Sequence, residues 1–300
     1  FNCSCFEWLS PNFGRYFMDK LRVASCQFPV SNDIAKNARY IRRYMKRAVE
    51  AGADLLHTSE TCLSGYAGTD FESFDDFDWD LLRTETARLQ ALAAELDIWL
   101  VLGSGHYLDG ETKPTNCLYL IDPKGDVVDR YDKCMCTRGD QKHYSAGNHL
   151  AIHTIKEVTV GLAICYDVCY PQIYVAYRDR GVTLMLHSFY NAGHAGPNCL
   201  DVLNGRQVPT RCADNLMWAV ANNSSRPYSH WGSFVARPDA TIAQELKKNV
   251  AGMLGHDFPD GLSEGGWTHN HLPMKLAKNE VLTFGEPSGH ERQVDTVSEP

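Results

Sequence analysis

The sequence predicts an α/β fold. Three observations carry that reading: apolar runs of strand length, intervening segments with an apolar stripe at helical spacing, and a turn that joins two of the runs as a hairpin. Strands alternating with helices imply buried strands, and the hairpin argues against a purely parallel sheet. In order, Leu21–Phe28 reads as a strand and Asp33 as the N-cap of a helix. Ile34, Ala38, Ile41, Met45, Ala48 and Val49 form that helix's single apolar stripe, and Gly52 stands where a helix commonly ends. Asp54–Glu60 is a second strand with a polar end. Leu81, Leu82, Leu89, Leu92, Ala93 and Leu96 mark a second helix, and Ile98–Gly103 a third strand. Asn116–Ile121 and Val127–Tyr131 flank the turn Asp122-Pro-Lys-Gly-Asp126. Val158–Ile164 is a strand that stops at Cys165, and Val182–His187 and Met217–Asn222 each follow a helix-like segment.

The chain divides into an extension over residues 1–17, a folded domain over 18–255 and a tail over 256–300. The tail turns rich in Gly, Pro and His, and it is expected to pack on a partner subunit. Of 300 residues, 44% are hydrophobic and 22% charged, which excludes wholesale disorder. No run reaches the roughly 18 apolar residues of a membrane span. Acidic residues outnumber basic ones 37 to 29 and no basic block occurs, so neither nucleic acid nor a membrane is an expected partner. Eleven cysteines, an odd number scattered along the chain, argue for a reduced cytoplasmic protein over a disulfide framework. No Lys/Arg-flanked apolar core opens the chain, so no signal peptide is expected.

Three strands end in reactive side chains: Glu60, Lys133 and Cys165. Sites in α/β sheets gather beyond the carboxyl ends of strands, where an acid, a cation and a thiol can meet. Singly, each has a plainer reading. A lone cysteine after an apolar strand is usually a small core residue, and the Glu and Lys are usually solvated. Their order and their flanking residues raise the combination above those readings.

Gly52-Ala-Asp-Leu-Leu-His-Thr-Ser-Glu-Thr-Cys-Leu-Ser-Gly-Tyr66, Tyr131-Asp-Lys133 and Gly161-Leu-Ala-Ile-Cys-Tyr-Asp-Val-Cys-Tyr-Pro171 together resemble the three motifs of the nitrilase superfamily, the carbon–nitrogen hydrolases. Arg211-Cys-Ala-Asp-Asn215, followed by Ala219–Asn223, is similar to a further segment of that family. The resemblance spans Leu21 to Leu246. It implies a four-layer α-β-β-α sandwich, a homodimer or larger homo-oligomer, and a catalytic triad of Glu60, Lys133 and Cys165, side chains whose chemistry requires no cofactor. Many members carry a further Glu between the Lys and the Cys, and here the nearest match is Asp140. Tyr166 stands where many have Trp, and Asp167 where Glu is frequent. Tyr66, Asp140, Tyr166, His187 and Asn191 are the expected substrate-binding residues. A packed strand end is an equal reading for His187 and Asn191.

The chemistry then follows from the side chains. A thiol near pKa 8.5 is only a few per cent ionised at neutral pH, so Glu60 is the expected base and the Cys165 thiolate the nucleophile. Lys133 and the Tyr166 N–H are the expected partners of the developing oxyanion. Glu60 returns its proton to the departing amine and then activates the water that hydrolyses the thioester. The expected substrate is a small amide or N-carbamoyl compound, with a nitrile as the alternative. Two other classes stay open: a catalytically idle scaffold, and a metal-binding protein using Cys134, Cys136 and His143, Cys3 and Cys5, or His269 and His271. A Cys-x-Cys pair without a second pair is a weak zinc signal, and no metal is expected.

Overall fold

The computed structural model describes residues 20–107, 113–193, 195–196 and 203–258. The extension over 1–17, Cys3 and Cys5, the tail beyond Phe258, and His269 and His271 lie outside the described residues. The elements run β1 (Leu21–Gln27), α1 (Ile34–Glu50), β2 (Leu55–His57), α2 (Trp79–Leu96), β3 (Trp99–His106), β4 (Thr115–Ile121), β5 (Val127–Asp132) and α3 (Asp140–His143). There follow β6 (Ile152–Ile155), β7 (Val158–Ile164), a 3-10 turn (Cys165–Cys169), α4 (Pro171–Arg178), β8 (Leu184–Ser188), α5 (Leu203–Asn215), β9 (Trp218–Asn222), β10 (Phe234–Ala236), β11 (Ile242–Glu245) and β12 (Gly252–Phe258).

Two six-stranded sheets result, ordered β12-β1-β2-β3-β4-β5 and β11-β10-β9-β8-β7-β6. Each has three parallel strands at its centre, β1-β2-β3 and β9-β8-β7, with antiparallel strands outside them. Strand alternation divides the core. Ala24, Cys26, Leu56, Leu100 and Leu102 pack outward against Ile34, Ile41, Met45, Leu82 and Leu89 of α1 and α2. Val23, Leu55, Val101 and Leu118 face the other way, into one cluster with Val160, Leu162, Leu186 and Val220 of the second sheet and Tyr174, Tyr177 and Cys212 of α4 and α5. The layers are therefore helix, sheet, sheet, helix, the α-β-β-α sandwich that the resemblance implies.

Local chemistry sets the element ends. The Asp33 carboxylate accepts the Lys36 N–H at 2.8 Å and the Asp78 carboxylate the Leu81 N–H at 2.8 Å, so both long helices carry side-chain caps. The second strand is shorter than the apolar run suggests. After His57 the Thr58 hydroxyl donates to the Val101 carbonyl at 2.8 Å and accepts the Gly103 N–H at 3.1 Å, which ends the ladder and frees Ser59–Ser64 to form a loop. The sandwich is also stitched by buried polar groups. The Asn222 amide nitrogen reaches the Ser25 hydroxyl at 2.7 Å and the carbonyls of Cys26 and His57 at 2.8 and 3.2 Å, joining β9 of one sheet to β1 and β2 of the other.

Replacing Asn222 with Leu keeps the volume and orphans these acceptors. Equilibrium urea unfolding should show a loss of about 3 kcal/mol. An unchanged midpoint and slope would show that the two sheets do not depend on this link.

Candidate active site

Glu60 stands three residues beyond β2, fully buried, and the residue after it, Thr61, has a left-handed backbone with φ +49°. The loop reaches this place because β3 has no side chain at Gly103. A Cβ there would lie 2.0 Å from the Ser59 carbonyl oxygen. Lys133 follows β5 directly. Its backbone is held on both sides, its N–H on the Asn116 carbonyl and its carbonyl on the Gly147 N–H, each at 2.9 Å. A Cβ on Gly147 would meet the Asp132 carbonyl oxygen at 2.3 Å. Cys165 begins the 3-10 turn after β7 with φ +44°, a backbone state that non-glycine residues adopt at a cost of roughly 1–3 kcal/mol.

The three motifs converge. The Lys133 ammonium lies 2.7 Å from Glu60 Oε1 and 2.9 Å from Asp140 Oδ2, and all three side chains are at most 1% exposed. The Asn116 amide donates to the same Glu60 oxygen at 2.7 Å, while Glu60 Oε2 has no hydrogen-bond partner among the described residues. Asp140 Oδ2 also accepts the Thr137 N–H at 2.8 Å, and its Oδ1 accepts the Tyr66 hydroxyl. The Cys165 thiol donates to Asn191 Oδ1 at 3.5 Å and feels the charges of Glu60, Lys133 and Asp140.

Beyond the sulfur opens a cavity of about 320 Å³. Tyr66, Asp140, Tyr166 and Asn191 all contribute to its wall. His187 does not. It is buried at the end of β8, with its Nδ1 2.7 Å from the Tyr174 hydroxyl and its ring stacked 4.3 Å from Phe189, the packed strand end that was one of its two readings. Cys134 and Cys136 hold the carbonyls of Asp132, His149 and Lys133 on the loop after Lys133, and among the described residues no three His, Cys, Asp or Glu side chains cluster as metal ligands would.

Electrostatics follow from burial and charge count. Burial would push the Lys133 ammonium down, but the surrounding negative groups, Glu60 first among them, hold it well above its ordinary value. Burial and Asp140 push Glu60 up, against Lys133 and Asn116. Asp140 resists burial through Lys133 and the Tyr66 hydroxyl and stays below the usual range. Burial, then repulsion from Glu60, drives the Cys165 thiol well above its ordinary value, so it rests protonated.

Residues 22–260 match the sequence profile of the carbon-nitrogen hydrolase family. The chain belongs to this family. The carbon-nitrogen hydrolases it resembles include nitrilase homolog 2 of Dictyostelium discoideum, 25% identical over 278 residues that cover 87% of this chain and 81% of that one. Deaminated glutathione amidase of the same organism is 25% identical over 271 residues, 83% and 88% of the two chains. In structure, an amidase from Nesterenkonia sp. superposes with a TM-score of 0.70 at 23% identity over 86% of this chain and 95% of its own, which shows a shared fold.

Two residues that organise this candidate site are not among the expected site residues. Asn116 binds Lys133 through its backbone and Glu60 through its side chain, and only its polarity at the start of an apolar strand sets it apart. Asp167 is marked in the sequence solely as a replacement for a frequent Glu. Its carboxylate accepts the Tyr131 hydroxyl at 2.7 Å, the Ile164 N–H at 2.9 Å and the Met135 N–H at 2.8 Å. It thereby ties the strand and loop around Lys133 to the turn of Cys165.

Burial moves the Asp167 carboxyl from 3.8 to about 6 despite those three donors. Between these values the folded state binds the extra proton, so this group's contribution to stability falls as pH rises through the window, by roughly 3 kcal/mol in total. The stability of the parent minus that of Asp167→Asn, from urea unfolding at steps from pH 4 to 7, should decline by that order. A flat or rising difference would contradict the burial of an ionisable Asp167.

Proposed function

We propose that this carbon-nitrogen hydrolase cleaves a small amide or N-carbamoyl compound through a thioester on Cys165, with Glu60 as base and acid and Lys133 as the cation that steadies both Glu60 and the oxyanion. One observation carries the reading: Glu60 has one oxygen committed to Lys133 and Asn116 and the other uncommitted, in the same buried charge cluster as a protonated thiol.

Charge counting explains why this pairing works. Two carboxylates and one ammonium leave the cluster at −1. Ionising Cys165 outright would make it −2 in a dry site. Passing the thiol proton to Glu60 holds it at −1 throughout, and the burial that raises Glu60 makes it a better acceptor. The thiolate attacks the acyl carbon, and the oxyanion meets the Lys133 ammonium and the Tyr166 N–H, each donor typically worth about 3–4 kcal/mol. Protonated Glu60 then delivers the proton to the leaving ammonia or amine, and next takes one from the water that opens the thioester.

Asp140, one methylene shorter than the family's usual Glu, orients the lysine through the short salt bridge and is itself oriented by Tyr66. Tyr66, Tyr166 and Asn191 are the wall residues assigned to substrate, and His187 supports the turn from behind. The relatives named as amidases favour an amide over a nitrile. The dispersed, odd set of cysteines supports a cytoplasmic setting, and the family resemblance supports a homodimer or larger assembly. No helix among the described residues is long and apolar enough to cross a membrane.

An ammonia-release screen over amides, N-carbamoyl compounds and nitriles, paired with intact-mass detection of an acyl adduct, tests the proposal. Cys165→Ala and Glu60→Gln should each lose at least 10³-fold in kcat/KM on the best substrate, and the adduct should form only where Cys165 is present. Undiminished turnover by Cys165→Ala would end the thiol mechanism.

A further inference from the structure

Asn191 lies three residues beyond β8, 1% exposed, and its backbone is fixed from both sides. Its N–H donates to Asn223 Oδ1 at 2.8 Å, and its carbonyl accepts the His230 N–H at 3.0 Å and the Asn223 amide at 3.4 Å. The side-chain amide is held very differently. Its one polar contact among the described residues is Oδ1 with the Cys165 sulfur, and its Nδ2 is buried with no partner. A buried N–H₂ with no hydrogen-bond partner is destabilising, so its place beside the nucleophile needs a reason.

The reaction supplies one. With Cys165 protonated, the thiol donates and Oδ1 accepts. Once the proton has gone to Glu60, the same Oδ1 would face a thiolate with nothing between them. Turning the amide plane over about χ2 replaces that oxygen with Nδ2 as a donor to sulfur. The turn breaks no other hydrogen bond, because neither end of the amide has a second partner among the described residues, and the fixed backbone keeps the amide within reach of the sulfur. We propose that Asn191 turns its side-chain amide over as Cys165 ionises, exchanging an acceptor on the thiol for a donor on the thiolate. This rests on the reading of Cys165 as the nucleophile with Glu60 as the proton's destination. No proton or bond is gained or lost at Asn191 itself.

Magnitudes decide the sign of the effect. S–H is a weak donor, so the resting contact contributes little, whereas a hydrogen bond to a charged acceptor is about twice as strong as a neutral one. Removing the amide therefore penalises the thiolate more than the thiol. Among the described residues, groups that act on or lie near Cys165 include Glu60, Lys133, Asp140, Asp167 and Tyr66, with His187 behind the turn. Parent and variants differ at position 191 alone, so a shift between them reads Asn191.

The test is the rate of Cys165 alkylation by iodoacetamide against pH, with the adduct site confirmed by mass spectrometry, in the parent, Asn191→Leu and the smaller Asn191→Ala. Both variants should move the profile to higher pH by about one unit, slowing alkylation about tenfold at neutral pH. A parent-like profile, or one moved to lower pH, in whichever variant keeps the parent's circular dichroism would overturn the amide turn. A parent whose Cys165 resists alkylation at every pH would instead overturn the nucleophile assignment, and this inference with it.

Discussion

A single ammonium between two carboxylates holds this site together. Lys133 is fully buried, and burying a charge is tolerable only when opposite charge and hydrogen bonds surround it. Glu60 and Asp140 meet it at 2.7 and 2.9 Å; Asn116 donates to the same Glu60 oxygen, and Thr137 and Tyr66 donate to Asp140. Each member depends on the others. Removing one partner of such a cluster leaves an uncompensated buried charge at a cost of about 3–5 kcal/mol. Burial first, and repulsion from Glu60 after it, also raises the Cys165 thiol beside this cluster, so it rests protonated.

The fold exists, in effect, to bring three strand ends to that cluster. Glu60 comes from the first sheet's parallel centre, Lys133 from its antiparallel edge and Cys165 from the centre of the second sheet. Sandwich packing alone would leave their relative heights loose. Buried polar groups remove the slack: Asn222 across the two sheets, Asn116 between Lys133 and Glu60, and Asp167 between the Lys133 segment and the Cys165 turn. The left-handed backbones at Thr61 and Cys165 sit at two of these ends, where strain persists only because the surroundings fix it.

What was legible in the sequence was local. The stripe from Ile34 to Ala48 and the Asp33 cap announce α1, and Asp122–Asp126 announces the hairpin, because helix faces and turns are set by neighbours in the chain. β12 was not legible. Gly252–Phe258 contains two glycines and no clean alternation, and it becomes a strand by pairing with β1, which lies at the opposite end of the domain. For the same reason the expected domain end at residue 255 falls inside that strand. Glu60, Lys133 and Cys165 stood out through the residues around them, and Asp140 through position alone. Asn116 and Asp167 act through contacts across 56 and 36 residues of chain, which no local pattern encodes.

Lys133 lies against two buried carboxyls, and their ionisation depends on it. Isotope-edited infrared spectroscopy of the carboxyl groups, in the folded parent and in folded Lys133→Met at neutral pH, tests it most directly. Glu60 and Asp140 should both be carboxylates in the parent, and at least one should gain a proton in the variant. A protonated Glu60 in the parent, or two carboxylates persisting without the lysine, would contradict it.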